Sequence, residues 1–289
     1  MRGYHQWLDG EGGRAGYNAG VSTKRLSFLF LSICFSVILN FPAGARRQNA
    51  TEKDSPFTWD DGAVVRGDLR QKRIALNFTG GDYGEGTQAV LDTLEKTKVK
   101  AGIFVTGGFL REGDRRKLVQ RAVKEGHYVG PHSDQHPLYC PWDDRERSLI
   151  SKTDFQKDLQ KNISDLKQLG ALRFGPIYFI PPYEWFNREQ VEWAKEMGVQ
   201  MFDFSPGSGS NRDYMPESDP KFVSSQKIFD DILAYEKKDP HGLNGYILLL
   251  HLGADRKDKM FPLLEPLIVE LQSRGYTFVR IDRMLMEAK

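Results

Sequence analysis

DFQKDLQKNISDLKQLG, residues 154–170, places Phe155, Leu159, Ile163, Leu166 and Leu169 at steps of three or four. That spacing draws one apolar face along a helix. Gly170 follows as the residue that can leave the helix through a left-handed conformation. A short β-rich apolar run, IYFIP at 177–181, comes next. The same helix–glycine–strand punctuation recurs at KEGHYV with Gly126, EMGVQM with Gly198 and SRGYTF with Gly275.

Working outward, the strand candidates are RIALNF (73–78), AGIFVT (101–106), HYVG (127–130), IYFIP (177–181), VQMFDF (199–204), YILLLH (246–251) and YTFVRI (276–281). Strands that alternate with helices build a parallel sheet. Seven such units without a second domain predict an α/β fold whose sheet is a closed or nearly closed barrel. Residues 46–72 are polar, broken by Pro56 and Gly67, and read as a lead-in segment to a domain spanning 73–289.

The chain has 289 residues, 39% hydrophobic and 28% charged, with a formal net charge of +2. That balance, without a basic block, gives no footprint for nucleic acid. KRLSFLFLSICFSVILNFPAGARR sets Lys24 and Arg25 before an apolar run from Leu26 to Phe41, closed by Ala43–Gly44–Ala45. Basic flank, apolar run and small residues form the pattern of a secretory signal peptide with an unusually long polar start. Residues 1–45 are therefore predicted to be cleaved off, leaving a periplasmic or extracellular protein without a membrane span; an uncleaved membrane anchor is the alternative. Cys140 is then the one cysteine of the mature chain, which excludes an intramolecular disulfide. It is expected to be a buried apolar residue.

Active sites of such barrels lie at the C-terminal ends of the strands. TGGDYGEG, PHSDQH, PPYEWF, SPGSGSNRDY and His251 all fall at strand ends. His132 and His136 lie four residues apart in one of these loops. Two imidazoles and a carboxylate make a hydrolytic metal site. Asp82 is the best available carboxylate, and Asp82 and Glu85 make TGGDYGEG a loop for cations or protons. The plainer alternative is a pair of solvated loop histidines. His251 is either a satisfied core histidine or a general acid. Tyr83, Tyr139, Trp142, Tyr183, Trp185 and Phe186 gather at the same rim, a mild sign of a sugar ligand.

With the first-strand loop, HSDQH, PPY and LLLH in this order over residues 73–285, the chain resembles NodB-homology polysaccharide deacetylases, carbohydrate esterase family 4. The resemblance implies a distorted (β/α)7 barrel, similar to a TIM barrel. It implies removal of acetyl groups from a polysaccharide or oligosaccharide with a divalent metal held by Asp-His-His. Zinc suits such a mixed nitrogen and oxygen site, and cobalt, nickel or iron fit the same ligands. The family's H-(S/T)-x-x-H matches His132, Ser133 and His136, so both histidines are implied metal ligands. Its fifth motif is matched to Leu250, implied to line the acetyl pocket, and His251, implied to be the general acid.

Two motifs depart. The family's T-F-D-D-G is replaced: Thr79 stands where the base aspartate is expected and Gly80 where the metal aspartate is expected. Asp82 is then the candidate metal ligand, and Glu85 or Asp82 the candidate base. The family's R-x-P-Y-G becomes IPPYE, with Ile180 for the arginine and Glu184 for the glycine. Pro182 and Tyr183 still match as substrate-side residues, and the Tyr183 backbone is a candidate for the oxyanion site. The alternatives are a catalytically impaired barrel that binds carbohydrate and a metal-dependent hydrolase of a non-glycan amide or ester.

Overall fold

A computed structural model describes residues 55–286, so the signal-peptide segment and the proposed cleavage after Ala45 lie outside the described residues. Seven strands form where the apolar runs predict them. β3 (Arg73–Gly80), β4 (Gly102–Val105), β5 (Tyr128–Pro131) and β8 (Tyr246–His251) make a parallel sheet in the order β5-β4-β3-β8, and β9 (Thr277–Phe278) pairs with the start of β3. β6 (Ile177–Phe179) and β7 (Val199–Met201) form a separate parallel pair.

The lead-in reading needs correction. Thr58–Asp60 (β1) and Ala63–Arg66 (β2) form an antiparallel hairpin, with Asp61 and Gly62 at φ 45° and 88° in its turn. Asp-Gly is a strong hairpin signal, since both turn residues must take positive φ. Val64 of β2 is fully buried and bridges to Phe202, just past β7.

The barrel is not closed by strand ladders. Between β7 and β8 the join is made by β2 and Ser205, whose N–H donates to the Ile247 carbonyl at 2.9 Å and whose hydroxyl donates to the Val65 carbonyl. Between β5 and β6 it is made by side chains. The Tyr178 N–H donates to the Tyr128 hydroxyl at 2.7 Å, and His132 reaches the Ile180 carbonyl.

Both sheet faces are apolar, as parallel strands require. Val64, Ala75, Phe104, Tyr178, Phe202, Ile247 and Leu249 fill the inside. Ile74, Leu76, Phe78, Leu248 and Leu250 pack outward against helices α1 (Thr87–Thr97) and α7 (Leu264–Ser273). The helix of the opening stretch is α4 (Lys152–Gln168), whose Phe155, Leu159 and Ile163 pack with Phe179 and Met201. Gly126, Gly170, Gly198 and Gly275 all take positive φ, between 73° and 86°.

Candidate active site

The strand ends open into one cavity of about 680 Å³. All five of the predicted strand ends contribute to its wall, among them Asp82, His132, His136, Glu184, Tyr214 and His251. The loop after β4 adds Thr106, Gly108 and Arg111, which the sequence reading did not single out.

His132 and His136 converge. His132 is buried, and its Nδ1–H donates to the Ile180 carbonyl at 2.8 Å. That bond leaves the Nε2 lone pair facing the cavity. The Nε2 of His136 lies 3.1 Å from it. Burial lowers the pKa of both rings, that of His136 to about 4, so both are neutral at pH 7. Neutral imidazole is the ligating form.

The loop between them is held by α4. Asn162 accepts from the His132 N–H at 3.0 Å. Asp158, one turn earlier on the same face, accepts from the N–H groups of Asp134 and Gln135, both at 2.9 Å. Ser133 and His136 take φ of 69° and 56°, and the Ser133 hydroxyl accepts from the His136 N–H. Strained backbone that is held this firmly is a mark of functional sites. Asp158 and Asn162 were legible only as polar positions between the apolar steps of that helix.

The third ligand does not join them. Asp82 lines the cavity but, among the described residues, no three His, Cys, Asp or Glu side chains gather in metal-binding geometry. Two imidazoles are the donors that the structure brings together there. The aspartate position of the motif is closed: a Cβ on Gly80 would lie 2.8 Å from Phe109 and 2.9 Å from Leu252. Gly84 is likewise packed against Phe109, at 2.5 Å from a Cβ, so close packing explains these glycines.

Glu85 lies away from the chemistry. It does not line the cavity; its carboxylate pairs with Lys259 and accepts from the Ala254 N–H at 3.1 Å. Burial would raise its pKa, but Lys259 and the backbone bonds hold it below the ordinary value.

His251 faces the histidine pair from β8. Its backbone N–H and its ring Nδ1–H donate to the two oxygens of buried Asp213, at 2.9 and 2.7 Å. Burial would lower the His251 pKa, but Asp213 outweighs it, so the pKa is raised. Asp213 sits in the SPGSGSNRDY loop, which was read as polar without this residue being picked out. Strand alternation corrects the motif match: Leu249 shares the inner face with His251, whereas Leu250 points outward into the helix-covered core. Pro182 is buried at the start of a tight turn, Pro182–Glu184, and does not line the cavity.

In that turn Tyr183 and Glu184 take φ of 60° and 53°. The Tyr183 ring lies 4.4 Å from the His136 ring and 5.7 Å from Trp142. Trp142 is 63% exposed, whereas Tyr139 and Phe186 are fully buried and belong to the core. Glu184 lines the cavity, and burial, with Asp213 adding and His251 opposing, raises its pKa to about 7. Cys140 is buried, with its thiol pushed up to about 11 by burial.

Residues 66–202 match the family model for polysaccharide deacetylase. The peptidoglycan-N-acetylglucosamine deacetylase PgdA of Listeria monocytogenes is 31% identical over 217 residues, 75% of this chain and 39% of that protein. The peptidoglycan-N-acetylmuramic acid deacetylase PdaA of Bacillus subtilis is 29% identical over 228 residues, 78% of this chain and 76% of its own. The solved structure of PdaA, a family 4 carbohydrate esterase, superposes with a TM-score of 0.61 over 79% of this chain and 86% of that one, at 25% identity. A family 4 pseudoenzyme from Bacillus anthracis shares the fold, with a TM-score of 0.60 at 20% identity over 78% of this chain and 70% of its own. With the barrel, the histidine pair and the ordered motifs in agreement, the chain belongs to the NodB-homology polysaccharide deacetylases, carbohydrate esterase family 4.

Proposed function

We propose that this protein hydrolyses acetyl groups from an acetylated glycan, with peptidoglycan as the first substrate to test, because the named relatives are peptidoglycan deacetylases. The observation that carries the reading is the cavity in which two imidazole Nε2 atoms converge, 3.1 Å apart, opposite an aspartate-held histidine. His132 and His136 would hold a divalent cation, zinc in the first instance; Asp82, which lines the same cavity without joining the pair, would have to close on the cation to act as a third ligand. When bound, the cation polarises the acetyl carbonyl and acidifies water.

The remaining work falls to the chain's own residues. His251, kept protonated by Asp213, donates a proton to the departing amine nitrogen. Tyr183 and Trp142 offer aromatic faces to the sugar at the open side. The basic-flanked apolar run before Ala45 supports export to where such a glycan lies.

The test is acetate release by the purified chain from N-acetylglucosamine tetramer and from peptidoglycan, with zinc or with chelator. Release that requires metal and is lost in His251→Ala is the expected outcome. The vacated base position at Thr79 favours one rival, a carbohydrate-binding barrel. It would retain the tetramer on immobilised protein and release no acetate.

A further inference from the structure

Hydrolysis of an amide needs a group that takes a proton from the attacking water. Of the positions read as bases, Thr79 has no carboxylate and Glu85 is engaged by Lys259 outside the cavity, while Asp82, on the cavity wall, is the carboxylate assigned to the cation. Of the other carboxylates that line the cavity, Asp134 is paired with Arg111 and Asp255 is exposed, which leaves Glu184 as the half-buried one without an assigned task. Among the described residues its side chain has no hydrogen-bond or ion-pair partner.

Its backbone strengthens the case. At φ 53° a glutamate is strained, while glycine, the residue of the family motif at this position, is not. Choosing a partly buried acid there lowers stability and adds no structural bond. Strain of that kind points to function. The titratable groups near enough to act on its charge are His251, Asp213, Asp203 and Tyr214. His251 is the one of these that can carry a positive charge, and Asp213 holds it in place.

We propose that Glu184 is the catalytic base, standing in for the aspartate that the first motif lacks, with Asp213-held His251 as its acid partner. This rests on the deacetylase reading above. The water oxygen forms a bond to the acetyl carbon, and its proton passes to the Glu184 carboxylate. The carbonyl π pair moves onto oxygen. When it returns, the carbon–nitrogen bond breaks, and nitrogen keeps that pair and takes the proton from His251. Acetic acid and the free amine leave, and the proton on Glu184 returns to His251.

The test uses the full chain, supplied with zinc, on N-acetylglucosamine tetramer. Glu184→Gln is expected to lower kcat by about 100-fold or more, with KM within about threefold of wild type. The acidic limb of the wild-type pH profile should vanish with it. Glu184→Gly should lose activity equally while its Tm rises by about 3 °C, because the strain is relieved. Added formate should restore part of that activity. A loss in a variant that melts higher cannot come from misfolding. If both variants keep kcat within about threefold of an active wild type, Glu184 is not the base, and the deacetylase reading stands. If the wild type releases no acetate, both fall together.

Discussion

Asp213 holds His251 by two hydrogen bonds, and their chemistry gives a signed prediction. Asp213 raises the His251 pKa and so keeps the proton donor charged to higher pH. Asp213→Asn should lower kcat by about 10–100-fold, with KM little changed. The alkaline limb of kcat should move to lower pH, because His251 without its carboxylate loses its proton sooner. A limb that stays in place would mean that His251 is not the acid. The histidines were legible because HxxxH and a strand-end histidine are visible in the chain. Leu250 stands next to His251 in LLLH, but the two-residue period of a strand puts Leu249 on the inner face with His251. Glu85 was chosen by nearness to the altered motif. Lys259, its partner 174 positions away, is not legible from that neighbourhood.

At the scale of elements, α4 both closes the core and positions the histidine loop. Its apolar face was read from spacing alone, but the task of its polar face depends on the loop from β5 that packs above it. Asn162→Leu removes the acceptor for the His132 N–H. It should cost on the order of 1–3 kcal/mol and weaken zinc binding by about tenfold, measured by denaturant unfolding and calorimetry. The glycines that end helices were read correctly because left-handed backbone has few alternatives. Gly198 isolates that effect, since a Cβ there meets nothing within 4 Å while φ is +73°. Gly198→Ala should destabilise by about 1–2 kcal/mol and leave acetate release unchanged. The β1–β2 hairpin was overlooked because its strands have only three and four residues, although Asp61–Gly62 carried the signal.

For the molecule as a whole, seven strand–helix units were enough to identify the barrel, but not how its ring is completed. Ladders fail at two joins: β2 and Ser205 complete one, and side chains complete the other. His132 is one of these side chains, so a metal on its ring should stabilise the fold as well as the site. Zinc at about 100 times its Kd should add about 2.7 kcal/mol. That raises Tm by about 5–10 °C, and His132→Ala should abolish the shift. The most direct measurement is acetate release from N-acetylglucosamine tetramer by the zinc-supplied chain, beside chelated chain, His132→Ala and His251→Ala. Release by the metal-supplied wild type alone is the expected result. Equal release in all four, or retention of the tetramer without any release, would contradict hydrolysis at this cavity.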